Sequence, residues 1–226
     1  MTWYQIEGSK WAEIWTILHL PYTAMNLSFL AIGFGIAGIH RWDVFAWITV
    51  AYFLGLGIAA HSFDQLPGMG SSYVKYLMPK ELLLLGLAAV SIAILIGIYW
   101  MIELTAWHLL WMIPIQAFFV WAYPARFMKG FFHNDFWFAV SFGFIPVMVG
   151  FYMNTLTLRP AFLMWAILAA NISAIEITLS RYVRAIRKSN VEDVEYYIYK
   201  PEIALKLLCL MSYFLAISFL LDGEQR

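Results

Sequence analysis

His61 and Asp64 stand three residues apart, which puts an imidazole and a carboxylate on one face if the chain there is helical. So placed, the two side chains suit sharing a divalent metal ion, or Asp64 fixes the tautomer of His61. Equally, Asp64 opens a polar turn closed by Leu66, Pro67 and Gly68, leaving His61 at a membrane interface. A second acid, Glu176, falls inside an apolar stretch, and an ionisable group in such a place is costly enough that it usually faces a bundle interior or a wet cavity. Asn171 lies deeper in the same stretch, and Ser173 and Ser180 stand at helical spacing from Glu176, so the group reads either as a packing cluster bonded across helices or as a cavity lining. Arg181 and Arg184 follow, again three apart, a spacing that suits a guanidinium clamp on a phosphate and equally suits anchoring at a membrane edge.

The elements that must position these residues are membrane helices. Hydrophobic residues make up 63% of the 226-residue chain, aromatic residues 19% and charged residues 12%, far outside the soluble range. Seven apolar runs reach the roughly 20 residues that a helix needs to cross a bilayer core. They cover residues 14–39, 44–63, 81–102, 106–123, 136–156, 161–180 and 203–221. The runs are continuously apolar rather than alternating, which favours helices over a closed barrel. The expected fold is an all-α integral membrane protein, one polytopic domain over residues 1–226, with about seven transmembrane helices and connecting loops too short for a second domain.

Orientation follows from the basic residues. Lys10, Lys75, Lys80, Arg126, Lys129, Arg181, Arg184, Arg187, Lys188 and Lys200 fall in the N-terminus and in the second, fourth and sixth loops, against Arg41, Arg159 and Arg226 on the other side. Short basic loops stay in the cytoplasm, so the N-terminus is expected inside and the localisation is a multi-pass protein of the cell membrane. The longest connections, residues 64–80 and 181–202, lie on that same side, and long loops over a rigid scaffold tend to carry function. Within the second of them, Ser189 to Glu192 reads as a capping box that opens a short interfacial helix ending at Pro201. The zero net charge and the absence of a long basic run give no sign of nucleic acid as a partner. Cys209, the sole cysteine, excludes an intrachain disulfide and a cysteine-based metal cluster.

Three stretches carry a family likeness. Leu18-His19-Leu20-Pro21-Tyr22-Thr23, Phe142-Gly143-Phe144-Ile145-Pro146 with Gly150 and Tyr152, and Ile167 to Asn171 resemble segments of the UbiA-type membrane prenyltransferase superfamily. The resemblance implies a prenyltransferase-like fold whose two acidic motifs sit in the second and sixth cytoplasmic loops and hold an isoprenyl diphosphate through Mg2+. Laid over this chain, the first motif puts Ala60 at its Asn, His61 at its first Asp, Asp64 at its second and Gly68 at its third, and the second motif retains at most Glu176. Seven spans also fall short of the family's usual eight or nine.

On that likeness, the chain transfers or binds an isoprenoid of the prenyl diphosphate type, or another membrane lipid. Asp64 and Glu176 are then the metal ligands, His61 is a further ligand or general base, and Arg181, Arg184 and Lys75 offset phosphate charge. Asn171 and His19 complete the binding residues. The lost motif residues fit equally a non-catalytic subunit assembled with other membrane proteins. A haem needs two imidazoles facing each other at one depth. His19 and His61 lie near the inner side, whereas His40 and His108 lie near the outer side. A small transporter is the minor alternative, without visible inverted repeats.

Overall fold

The computed structural model describes residues 4–6, 8–38, 41–69 and 74–223. Ile39, His40 and Arg226, named above, lie outside them. Among the described residues there are helices and turns and no strand. The helices are α1 (Lys10–Ile17), α2 (Leu20–Ile36), α3 (Trp42–Asp64), α4 (Pro79–Glu103), α5 (Trp107–Ala122), α6 (Asp135–Thr155), α7 (Leu163–Lys188) and α8 (Val194–Gly223).

By length and apolar content, 6 helical stretches can cross a membrane, α1 and α2 together counting as one, and α5 is shorter than the span expected at 106–123. It still joins the same two ends of the bundle. The His108 ring nitrogen lies 3.1 Å from the Leu156 carbonyl at one end. At the other, Arg181 donates to the hydroxyl of Tyr123, just past the last turn of α5, at 3.2 Å.

The first span is broken rather than straight. Pro21 has no N–H to give, so it is tolerated in the first turn of α2 and not in the interior of a longer helix. The break falls at Leu18 and His19, where His19 takes φ 43°, a left-handed conformation that few side chains adopt. Two hydrogen bonds hold the junction: the Thr23 hydroxyl donates to the Leu18 carbonyl at 2.6 Å, and the Tyr213 hydroxyl of α8 donates to the Pro21 carbonyl at 2.6 Å.

Beyond the break, α2 is the centre of the bundle, packed between α6 and α8. At its crossing with α6 the backbones touch. A Cβ on Gly33 would overlap the Val147 carbonyl, and one on Gly150 would overlap the Leu30 carbonyl, so only glycine permits the approach. Two buried amides join the same helices across the contact: Asn26 Nδ2 donates to the Phe142 carbonyl at 2.7 Å and Asn154 Nδ2 to the Phe34 carbonyl at 3.0 Å. In an apolar medium such bonds are worth making because the backbone carbonyl has no water to turn to.

Two helices depart from α-winding. Phe53–Ala60 within α3 and Ala139–Phe144 within α6 are wound as π-helix, a wider turn often found beside functional sites. Both flank the central cavity.

The expected loop over residues 181–202 is mostly helix. The α7 helix continues to Lys188 as one 26-residue element, and α8 starts at Val194 and runs through Pro201 for 30 residues. Proline costs the Tyr197 carbonyl its usual donor, a loss that is cheapest at a solvated edge, and Tyr197 is exposed. No separate interfacial helix forms, and the expected capping box does not either. Ser189 closes α7 instead, its hydroxyl donating to the Ile186 carbonyl at 2.7 Å.

Candidate functional site

A cavity of about 490 Å3 opens inside the bundle, within the ~300–1,000 Å3 typical of single-ligand sites. Its wall is charged toward one end and apolar toward the other. The charged end takes His61 and Asp64 from the last turn of α3, Tyr123 and His133 from the α5–α6 connection, Glu202 from α8, and a row from α7. That row is Glu176, Ser180, Arg184 and Lys188, recurring every four residues and so lying on one helical face. The apolar end is built from helix interiors, including Leu56, Val90, Ile94, Met101, Ile113 and Val149. Along α3 the lining runs from Asp64 back to Ile48, roughly 20 Å of helix.

Each charged residue is positioned by a local cause. The π-winding of α3 ends at Ala60, so His61 and Asp64 occupy one closing α-helical turn, as their spacing predicts. The break at His19 swings its ring against His61, with ring centroids 4.2 Å apart, and the Tyr4 ring meets the other side of His19 edge-on at 5.2 Å. Glu176 is only 3% exposed, and its Oε2 has no hydrogen-bond partner among the described residues. It stands near the middle of α7 rather than one turn from the helix end, because α7 continues two turns further than expected.

The arginines divide into two kinds. Arg181 is ion-paired with Asp135 at the start of α6 and donates to Tyr123. Arg187 is ion-paired with Glu202 of α8, a contact 20% and 15% exposed on its two sides. Arg184, between them in the chain, has no ion pair among the described residues and is exposed at the charged end of the cavity. Its charge acts on Asp64, on Glu176 and on His19. The other charges acting on Asp64 are His133 and Arg126, and on Glu176 they are Arg181 and Asp135. Both carboxyl groups thus feel Arg184, and both also act on Tyr123.

His133 sits on Tyr123, ring on ring at 4.6 Å, with Nδ1 2.8 Å from the Tyr123 carbonyl. Burial lowers its pKa from the ordinary 6.5, against the opposing pull of that carbonyl.

Of the residues that the sequence singles out, His19, His61, Asp64, Glu176, Arg181 and Arg184 line the one cavity. Two do not. Asn171 is on the exposed face of α7 and donates to the Ile167 carbonyl of its own helix at 2.9 Å, because it lies five residues from Glu176 and so on a different face. Lys75 is exposed in the α3–α4 connection, which is drawn toward α1 instead: Glu13, 6% exposed, accepts the backbone N–H groups of Lys75, Tyr76 and Leu77. Tyr123, His133 and Glu202 line the cavity without a spacing signal that marks them, since the α5–α6 connection and α8 meet α7 only in the folded bundle, whereas Lys188 is one turn beyond Arg184 on α7.

The magnesium implied by the family likeness is poorly served. Magnesium demands an oxygen-rich octahedral shell built on carboxylates and substrate phosphates. Among the described residues no group of three or more His, Cys, Asp or Glu side chains is gathered for a metal ion. Asp64 and Glu176 both feel the Arg184 charge, and Glu202, the third carboxyl group at the charged end, is taken up by Arg187. No protein-family model, curated protein or solved structure matches this chain.

Proposed function

We propose that this chain binds one isoprenoid-type amphiphile with a phosphate-bearing head group, the head at the charged end of the cavity and the chain among the helices, in the manner of a divergent UbiA-like membrane protein. One observation supports it above the others: a single cavity of about 490 Å3 that joins a charged end at Arg184, Lys188 and Glu176 to an apolar end at Met101 and Val149. A water-soluble ligand would leave the apolar end unfilled, and an uncharged lipid would bring no ion-pair partner for Arg184 and Lys188. The excess of Lys and Arg on the side of the charged end supports a reading in which that end faces the cytoplasm at the cell membrane.

The same arrangement suits prenyl transfer. In that reaction the bond between the allylic carbon and the diphosphate oxygen breaks, the electron pair leaves with the diphosphate, and the carbon bonds to an electron-rich acceptor. The acceptor then gives up a proton, and His61 is the base at hand.

The test is equilibrium binding of geranylgeranyl diphosphate to the purified protein in detergent, with geranylgeraniol as the control that lacks the head group. Binding of the diphosphate at micromolar concentration, with the alcohol at least about tenfold weaker, is the expected result. Equal binding of the two, or of neither, would sink the reading.

A further inference from the structure

The head group of an isoprenyl diphosphate carries several negative charges, and the likeness that suggests this ligand would neutralise them with metal ions. Resting on the proposed function above, the question becomes which cation of this chain takes that part. Four basic side chains line the charged end: Arg181, Arg184, Arg187 and Lys188. Two are already engaged, Arg181 by Asp135 and Arg187 by Glu202. Arg184 and Lys188 have no ion pair among the described residues, and they stand one helical turn apart on the row that begins at Glu176.

Arg184 also has the neighbours that a bridging metal would have. Its charge acts on Asp64 from α3 and on Glu176 from α7, two acids from different helices that line the same end of the cavity. A cation close to two acids lets an anion approach both, because it offsets the repulsion that bare carboxylates would exert. It also repels a second cation from the same place. A guanidinium does more than neutralise, since its planar fork presents parallel N–H donors that match two phosphate oxygens at once and it stays charged at any relevant pH. The orphaned Oε2 of Glu176 lies on the same face, 3% exposed, with a hydrogen bond still to make. Such a group is costly when it stays unpaired, and as an acceptor it calls for a donor such as the Arg184 guanidinium rather than for a phosphate oxygen.

We propose that Arg184 fills the place of the bridging metal ion, so that the phosphate head group is held directly by the Arg184 guanidinium, with the Lys188 ammonium one turn beyond, and needs no divalent cation. The acids Asp64 and Glu176 then orient Arg184 instead of ligating a metal.

The experiment is binding of geranylgeranyl diphosphate to the full chain in detergent, in EDTA and in millimolar magnesium, for the wild type, Arg184→Gln, Arg184→Lys and Asp64→Asn. The wild type is expected to bind equally in both buffers. Arg184→Gln should weaken binding about 10- to 100-fold, the worth of a charge-assisted contact, and Arg184→Lys should recover part of the loss. Asp64→Asn, which loosens the hold on Arg184, should weaken binding by one and the same modest factor in EDTA and in magnesium. Unchanged elution on size exclusion separates lost binding from lost folding, and Arg184→Lys keeps the charge if the glutamine variant fails to fold. Binding that appears only with magnesium and vanishes in Asp64→Asn would overturn the inference and leave the proposed function standing. Absence of wild-type binding in both buffers would overturn the proposed function and this inference with it. Inorganic diphosphate, the head group without its chain, should compete only at far higher concentration. Equal competition would overturn the lipid reading while keeping Arg184 as the partner of the anion.

Discussion

Helix α2 closes against α6 and α8 with backbone on backbone, whereas on the side toward α3, α4 and α5 the bundle stays open around a cavity. Both regions are made of the same kinds of residue, and what differs is how the backbone is spaced. On the closed side glycine lets carbonyls touch the neighbouring helix, and Asn26 and Asn154 lock the register with buried amide bonds. On the open side the π-wound stretches widen α3 and α6, and polar atoms such as Glu176 Oε2 and the Tyr52 hydroxyl have no hydrogen-bond partner among the described residues. The closed half supplies stability, and the open half holds the groups that have a use for a ligand.

The sharpest way to break this contrast is to enlarge one residue on each side. In Gly150→Leu the side chain would overlap the Leu30 carbonyl, and a backbone atom cannot step aside, so monodisperse protein should be lost on size exclusion. In Gly55→Ala the added methyl meets its nearest atom, Val120 Cγ2, at 3.9 Å, and the elution profile and Tm should stay as they are. A collapse of both variants would mean that the open side is as tightly packed as the closed one.

A smaller effect is expected at the clasp between α7 and α8. Glu202→Ala leaves the Arg187 guanidinium without its carboxylate in a contact that is 20% and 15% exposed, and should lower stability by roughly 1–3 kcal/mol, read as a drop in Tm. The double variant Arg187→Ala/Glu202→Ala should recover much of that loss, because no unpaired charge remains. An additive double variant would mean that the two side chains do not act as a pair.

Tyr52→Phe tests the open side from within. The Tyr52 hydroxyl is buried beside the cavity with no hydrogen-bond partner among the described residues, so its removal should leave Tm unchanged or raise it slightly. A marked fall in Tm would show that the hydroxyl is satisfied after all.

The smallest effect concerns pH. Burial lowers the His133 pKa below 6.5, so below that value the unfolded chain binds a proton that the folded chain resists. This part of the stability is complete above about pH 6.5 and is lost as pH falls through it. His133→Gln should flatten the decline of Tm between roughly pH 7 and pH 5, and an unaltered slope would show that His133 is not its source.

Much of this was legible in the residues. Continuous apolar runs without alternation leave only helices as a way to satisfy backbone groups in lipid, so the helical bundle and most of its spans follow from composition and length. The spacing of His61 and Asp64, and the cost of a carboxyl group at Glu176, marked side chains that do line one cavity. Where local signals competed, the reading went astray. Basic residues after position 180 looked like a loop because they end the apolar run, yet a helix is indifferent to that change of polarity, and α7 carries Arg181, Arg184 and Arg187 as helical positions. Pro201 looked like a boundary, yet α8 passes through it. Asn171 and Lys75 were grouped with the site by nearness in the chain, which says nothing about the face of a helix or the course of a connection.

The sequence by itself determined the helical character and the acids and bases available to a site, because those depend on composition and on spacing within one element. Only the tertiary structure decided which arginine is left over. Arg181 and Arg184 are alike in type and stand three positions apart, and what distinguishes them is that Asp135 arrives beside one, whereas among the described residues no carboxylate pairs with the other. That outcome depends on how α6 and α7 are set against each other across 40 residues and more of intervening chain, which no local spacing encodes.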